Sequence, residues 1–138
     1  MIINAAAEHA SGSNYEEMTR INVDAMRWLY EAAEKAGASR FVHLSTADTY
    51  RPRRGVLVED SPIEPRSAYA ATKAEAERYL RSRGPTGRGD DDEEARPGSL
   101  PWVILRPSLA YGPRSQYFTA GVLTVPPLLR MFFAYVPA

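Results

Sequence analysis

The stretch Ser67-Ala68-Tyr69-Ala70-Ala71-Thr72-Lys73 determines how the rest of the chain is interpreted. Ser67 is a favourable N-cap residue, and the alanines after it favour a helix. A spacing of four residues places the Tyr69 phenol and the Lys73 ammonium on one helical face, a turn apart. A phenol has an ordinary pKa of about 10, and a nearby cation lowers that pKa by favouring the phenolate. The pair could therefore transfer a proton, although the same spacing also occurs on ordinary, partly exposed helix faces.

Strand-like and helix-like segments alternate on both sides of this stretch. Met1–Ala7, Phe41–Ser45 and Pro101–Arg106 are short apolar runs typical of buried strands. Tyr15–Ala36 has apolar residues at helical spacing, and Gly37 supplies a C-terminal stop. Strand, helix and strand joined by short links form the βαβ unit of a parallel sheet, so the sequence predicts an α/β fold. The expected apolar face of the first helix comprises Met18, Ile21, Ala25, Trp28, Leu29, Ala32 and Ala33.

Three segments interrupt this pattern. Residues 46–66 are rich in turn formers and charge and predict a long loop. Residues 84–99 contain an acidic run among glycines and prolines that cannot form a packed core, so a disordered surface insertion is expected. Within residues 115–138, the apolar part approaches the length of a membrane span. Pro126-Pro127 and Arg130 argue against a span and favour a helix over Pro127–Tyr135.

The overall composition excludes several classes of function. The chain has 138 residues, 44% of them apolar, which suits one ordinary hydrophobic core. Its 17 basic residues equal its 17 acidic residues, which gives no basis for binding nucleic acid or an anionic membrane. There are no cysteines, and His9 and His43 are far apart, so no metal site is predicted. His43, within an apolar strand, is expected to be a packed core residue.

Six motifs occur along the chain in the order typical of one family. They are Ile2–Ala7, Asn22–Ala25, Phe41–Tyr50, Glu59–Pro62, Ser67–Glu77 and Leu105–Pro113. Together they resemble the extended short-chain dehydrogenase/reductases, the NAD-dependent epimerase/dehydratase family. Some positions depart from the family pattern. Asn4 replaces the usual histidine, Arg51 replaces a glycine, and the Gly-Thr that the family has after Asn22-Val23-Asp24 is lost.

The resemblance implies a Rossmann-like, doubly wound parallel sheet that binds NAD or NADP. Residues 1–138 would be a partial NAD(P)-binding domain, its C-terminal half, with 115–138 as the start of a truncated substrate-binding region. The Gly-x-Gly-x-x-Gly turn of the family, which holds the pyrophosphate at a helix N-terminus, is missing from the sequence. The isolated chain is therefore expected to bind the cofactor weakly or not at all.

The resemblance also assigns roles to single residues. Tyr69 would be the general acid/base, and Lys73 would bind the nicotinamide ribose and hold the pKa of the phenol down. Thr46 would hydrogen-bond the substrate oxygen, with its neighbour Ser45 as the alternative. The residues expected to contact the cofactor are Ala5, Ala6, Asn22, Leu44, Tyr69, Lys73, Pro107 and Ser108.

The implied function is hydride transfer on a sugar nucleotide or a hydroxysteroid-like alcohol. In the 4,6-dehydratases of the family an acidic pair follows the threonine, whereas Ala47-Asp48 follows Thr46 here, which argues against elimination. A non-catalytic Rossmann-like module that contacts proteins or a membrane is the alternative. No signal peptide is visible, so a cytoplasmic location is expected, with membrane association as the alternative. Pairing through helices of this half, as in family members, would give a homodimer.

Overall fold

The sheet has three parallel strands in the order β1-β2-β3. The structure is a computed structural model of the protein, and it describes residues 1–9, 13–51, 56–84 and 100–108. Strand β1 is Ile2–Asn4, β2 is Phe41–Leu44 and β3 is Trp102–Leu105. Phe41 is paired with Ile2 on one side and with Trp102 on the other. All three strands therefore end at the same edge of the sheet, which confirms the predicted parallel α/β architecture.

The segment predicted as one long helix is helical throughout, but its hydrogen-bond pattern changes. Helix α1 is Tyr15–Thr19, a π-helical segment covers Arg20–Asp24, and α2 is Ala25–Lys35. The side chain of Asn14 caps α1 by accepting a 2.8 Å hydrogen bond from the Glu17 N–H. After α2 the chain turns at Gly37, whose φ of 67° lies in the left-handed region that glycine adopts without strain.

The π-helical segment changes which residues of α2 are buried. Met26, Tyr30 and Ala33 lie in the core, whereas Trp28 is 66% exposed and Leu29 is 39% exposed. The expectation that Ala25, Trp28, Leu29 and Ala32 belong to the buried face is therefore wrong, because all four are exposed. A π-helical turn holds more residues than an α-helical turn, so every side chain after it is rotated about the helix axis.

Helix α3, Ala68–Ser82, carries the Tyr69 and Lys73 pair and begins as the sequence predicted. The Ser67 hydroxyl oxygen accepts a 3.1 Å hydrogen bond from the Ala70 N–H, which is the expected N-cap. The main core cluster joins α2 and α3 to the sheet: Met26, Tyr30, Ala33, Phe41, Ala76, Leu80, Leu100 and Trp102. The amino-terminal turns of α3 are thereby held beside the ends of the strands.

Several expectations concern residues outside the described ranges. The proposed insertion over 84–99 lies there apart from Gly84, as do the whole of 115–138 and the expected helix over Pro127–Tyr135. In the part of the chain that the structure describes, no helix has both the length and the apolarity needed to cross a membrane.

Candidate active site

The carboxyl ends of the strands bring together the segments that the sequence singled out. Ala5 and Ala6 follow β1 and are exposed, and Pro107 and Ser108 follow β3 and are also exposed. Beyond β2, the Ala47 N–H donates a 3.0 Å hydrogen bond to the Pro107 carbonyl. Leu44, the last residue of β2, is half-buried. Small, exposed residues at this edge leave the backbone open to a flat ring, so their placement fits a bound nicotinamide.

Lys73 lies on α3 and is almost completely buried, with 1% of its surface exposed. Burial lowers the pKa of its ammonium to about 8, although the negative charge of Glu77, one turn later, acts in the opposite direction. Near neutral pH the side chain thus remains a cation with few water contacts. Such a group can donate hydrogen bonds to ribose hydroxyls.

Asn4 and His43 form a buried pair, and His43 interacts electrostatically with Lys73. The Ala6 N–H donates to Asn4 Oδ1 at 3.2 Å, so the Asn4 amide nitrogen is directed at His43 Nδ1, 3.3 Å away. His43 Nδ1 is then the acceptor, and its proton lies on Nε2, which has no hydrogen-bond partner among the described residues. Burial, and then the charge of Lys73, lower the pKa of His43 to about 3. The prediction that His43 is a core residue is confirmed.

Tyr69 is half-buried on the first turn of α3. Burial raises the pKa of its phenol, and the carboxylate of Asp48 raises it further. The expected lowering by Lys73 is therefore not found, because the two influences on Tyr69 both disfavour the phenolate. The ring of His9 meets the Tyr69 ring edge-on, with 5.9 Å between the centroids.

Asn22 connects the segment after β1 to α3 from within the π-helical segment. Its side-chain oxygen accepts a 2.7 Å hydrogen bond from the Glu8 N–H, and its amide nitrogen donates to the Glu8 carbonyl at 2.9 Å. The same nitrogen donates to Thr72 Oγ1, and the Thr72 hydroxyl donates to the Tyr69 carbonyl at 2.8 Å. Asn22, 1% exposed, braces this edge of the sheet.

Thr46 and Ser45 make different contacts after β2. The Thr46 hydroxyl oxygen accepts a 3.2 Å hydrogen bond from the Asp48 N–H and caps the 3₁₀ turn Ala47–Thr49. The Ser45 hydroxyl instead donates to Glu77. Because the Ser45 hydroxyl already donates its proton to Glu77, Thr46 is the better candidate for a hydrogen bond to a substrate. The segment predicted as a long loop also contains an antiparallel bridge between Tyr50 and Ile63.

A buried ion pair adjoins these residues and was not predicted from the sequence. Arg106, the residue after β3, donates from Nε to Glu77 Oε1 at 2.9 Å and from Nη2 to Glu77 Oε2. Its guanidinium also donates to the Tyr50 hydroxyl and lies 4.5 Å from the centroid of that ring. Glu77 and Arg106 both occur within the family motifs, but nothing in their local sequence shows that they meet.

Two open pockets lie beside the 3₁₀ turn. One, of about 500 Å³, is lined by residues that include Asp48, Arg51 and Arg66, and the other, of about 400 Å³, by residues that include Arg106 and Ser108. Within the described ranges, no cluster of three His, Asp or Glu side chains could hold a metal ion. Both charged and apolar residues line the two pockets.

Residues 1–129 match the model of the NAD dependent epimerase/dehydratase family. The low-salt glycan biosynthesis protein Agl12 of Haloferax volcanii is 35% identical over 120 residues, which covers 84% of this chain and 35% of that protein. The dTDP-D-glucose 4,6-dehydratase of Mus musculus is 33% identical over 102 residues, 73% of this chain and 25% of that protein.

A solved structure of UDP-glucuronic acid 4-epimerase from Bacillus cereus, in complex with NAD, has a TM-score of 0.67 and 26% identity to the chain. The match covers 83% of this chain and 34% of that one, so the chain spans about a third of the length of Agl12 and of the epimerase. These similarities agree with the Rossmann-like sheet and with dependence of the family on NAD or NADP. The chain belongs to the NAD-dependent epimerase/dehydratase family.

Proposed function

We propose that this chain is the nicotinamide-side part of an NAD-dependent enzyme that acts on a sugar nucleotide. The observation that carries the proposal is the position of Lys73, a buried cation one turn after Tyr69, beside the exposed ends of three parallel strands. Lys73 would bind the ribose of the cofactor, and Ala5, Ala6, Pro107 and Ser108 would line its nicotinamide. When bound, NAD supplies an acceptor for hydride.

In the proposed reaction, Thr46 would bind the substrate oxygen and Tyr69 would accept its proton. The Thr46 hydroxyl would hydrogen-bond the oxygen of the reacting substrate carbon, and the Tyr69 phenolate would remove the hydroxyl proton. Because Asp48 and burial raise the pKa of Tyr69, this base needs an additional cation near the phenol. The positive nicotinamide ring would provide that charge when the cofactor is bound.

The names of two relatives favour a sugar nucleotide as the substrate class. One is a 4-epimerase for UDP-glucuronic acid and the other a 4,6-dehydratase for dTDP-D-glucose. Arg66 beside the larger pocket provides positive charge that suits phosphate or carboxylate groups, whereas the Arg51 guanidinium there is paired with the Glu64 carboxylate at 3.1 Å. Ala47 supplies no carboxylate next to Thr46, so epimerisation or simple oxidoreduction is proposed rather than elimination. A steroid-like substrate, formation of a homodimer and a cytoplasmic location stay predictions from the sequence.

The test is a titration of the whole chain with NAD and NADH. Calorimetry and the fluorescence of the reduced nicotinamide measure the binding. Saturable binding is expected, and Lys73→Ala should weaken it about tenfold or more, a loss of about 1.4 kcal/mol. Lys35→Ala is the matched control, because Lys35 is the only other lysine and is exposed at the end of α2. Tyr69→Phe should leave binding nearly unchanged and abolish turnover of a nucleotide sugar.

The opposite result would favour the alternative function. If a folded chain bound no cofactor up to millimolar concentration, the proposal would be overturned. A non-catalytic Rossmann-like module would then take its place, which the lack of a Gly-x-Gly-x-x-Gly turn within these 138 residues would also fit.

A further inference from the structure

The ion pair between Glu77 and Arg106 joins α3 to the ends of β2 and β3 and to the long loop that follows β2. Glu77 lies on α3, Arg106 follows β3, and Ser45 at the end of β2 donates its hydroxyl proton to the Glu77 carboxylate. Arg106 also donates to Tyr50, which follows the 3₁₀ turn, and to the Glu59 carbonyl of the long loop. One carboxylate and one guanidinium thus hold four separate segments together.

The pair is buried and lies close to the residues proposed to do chemistry. The side chain of Glu77 is 3% exposed and that of Arg106 is 9% exposed. Glu77 is one helical turn after Lys73, and Ser45 directly precedes Thr46. Displacement of either partner would therefore move Thr46 relative to Lys73, and it would also change the charge around the ammonium.

We propose that Glu77 and Arg106 are positioning residues of the proton-transfer site, which fix the place of Thr46 and set the charge that Lys73 experiences. This inference rests on the function proposed for Lys73 and Thr46. Arg106 holds the Glu77 carboxylate with two parallel hydrogen bonds, the strongest geometry for such a pair. The carboxylate is thereby largely neutralised and is kept from forming a full ion pair with Lys73.

The groups that face Lys73 make the direction of each effect predictable. Glu77 raises the pKa of Lys73 against the larger opposing effect of burial. From β2, His43 interacts with the same ammonium and is neutral above about pH 3. Tyr69 precedes Lys73 on α3, and Asp48 of the 3₁₀ turn acts on Tyr69. Glu77 is therefore the one carboxylate among these residues whose charge supports the Lys73 cation directly.

The experiment is an NMR titration of the chain labelled with ¹³C at the lysine ε carbon. The sequence contains only Lys35 and Lys73, so the spectrum holds two signals, and exposed Lys35 serves as an internal reference. Glu77→Gln removes the supporting carboxylate and leaves the Arg106 cation, so the pKa of Lys73 should fall by about 1 unit. Arg106→Met releases the carboxylate toward Lys73, so the pKa of Lys73 should rise by about 1 unit.

Opposite shifts separate positioning from a purely structural role. A pair that only stabilised the fold would, when broken in either way, admit water and raise the pKa of Lys73 toward its ordinary value in both variants. Shifts of the same sign, or no shift, would overturn the proposal. The matched control is the Glu34–Arg83 pair near the far end of α3, where the atoms are 2.8 Å apart. Glu34→Gln and Arg83→Met should leave the Lys73 titration unchanged.

A second pair of variants addresses loss of folding. Glu77→Asp and Arg106→Lys keep both charges but alter the reach of the carboxylate and remove the planar fork of the guanidinium. If Glu77→Gln and Arg106→Met unfold, the Lys73 titration in Glu77→Asp and Arg106→Lys tests the proposal. The pKa of Lys73 should then fall slightly in Glu77→Asp and rise slightly in Arg106→Lys. The titration needs no cofactor, so its failure is distinct from failure of the chain to bind NAD.

Discussion

The side-chain amide of Asn22 donates a 2.9 Å hydrogen bond to the hydroxyl oxygen of Thr72, fifty residues later in the chain. Both side chains are almost completely buried, at 1% and 0% exposure. Asn22 also exchanges two hydrogen bonds with the backbone of Glu8, so it connects the segment after β1 with the turn of α3 that carries Tyr69. Its location in a π-helical segment agrees with the tendency of such segments to occur at functional sites.

Replacement of Asn22 by alanine should destabilise the chain by about 2 to 3 kcal/mol, because buried polar groups would lose their partners. Thr72→Val should cost about 1 kcal/mol, and the double variant should cost less than the sum because the two residues interact directly. Urea denaturation of the four proteins measures this coupling. Asn14→Ala, which removes an exposed helix cap, is the control and should cost about 1 kcal/mol. Strictly additive losses of unfolding free energy for the Asn22 and Thr72 variants would contradict a direct interaction between the two side chains.

Lys73→Met should stabilise the chain at pH 7 while it weakens cofactor binding. The folded-state pKa of Lys73, about 8, lies below its ordinary value of 10.5, so the unfolded chain binds more protons between these values. The stability of the wild-type chain should therefore rise with pH from about 8, and the cost of burying the charge should be fully present below pH 8. Removal of the charge should add on the order of 2 kcal/mol at pH 7.

Chemical denaturation at pH 7 and pH 9.5 tests this prediction for Lys73→Met beside Lys35→Met. The gain for Lys73→Met should shrink at the higher pH, and the Lys35 variant should resemble the wild-type chain at both. A loss of stability at pH 7 would show that Lys73 contributes more through its contacts than its burial costs.

His43 should make the chain sensitive to acid. Its folded-state pKa of about 3 lies below the ordinary value of 6.5, so the unfolded chain binds the extra proton between these values. The stability contributed by neutral His43 is present above about pH 6.5 and is lost as the pH falls toward 3, by up to about 1.4 kcal/mol per pH unit.

His43→Asn keeps an acceptor for the Asn4 amide and removes the titrating ring, so its stability should fall less steeply below pH 6.5. The measurement is the free energy of unfolding at pH 7, 6, 5 and 4 for wild type and variant. His9→Asn is the control, because His9 is the only other histidine and is exposed. Parallel pH profiles for wild type and His43→Asn would rule out His43 as the acid-sensitive group.

The N-cap of α3 gives a local prediction. Ser67→Ala should lower the free energy of unfolding by about 1 kcal/mol, because the Ala70 N–H loses the hydroxyl oxygen that accepts its proton. Thermal or urea denaturation measures the loss. Ser39→Ala, in the exposed turn before β2, is the matched control and should change stability by less than about 0.5 kcal/mol. Equal effects of the two substitutions would contradict the assignment of Ser67 as a cap.

The sequence predicted those features that depend on neighbouring residues. The alternation of apolar runs and helical spacing predicted β1, α2, β2, α3 and β3 in order, because hydrophobic period follows local backbone geometry. The cap at Ser67 and the shared face of Tyr69 and Lys73 likewise follow from spacing along one helix. These motifs also indicated the family, which the comparisons confirmed.

The tertiary structure decided the features that join distant residues. The extra residue of the π-helical segment turned Trp28 toward solvent, and Asp48 together with burial raised the pKa of Tyr69 instead of lowering it. Glu77 and Arg106 are 29 residues apart in the chain and meet only because β3 ends beside α3. Burial and long-range contact set both the energies and the charges of these groups, and neither is encoded in the spacing of adjacent residues.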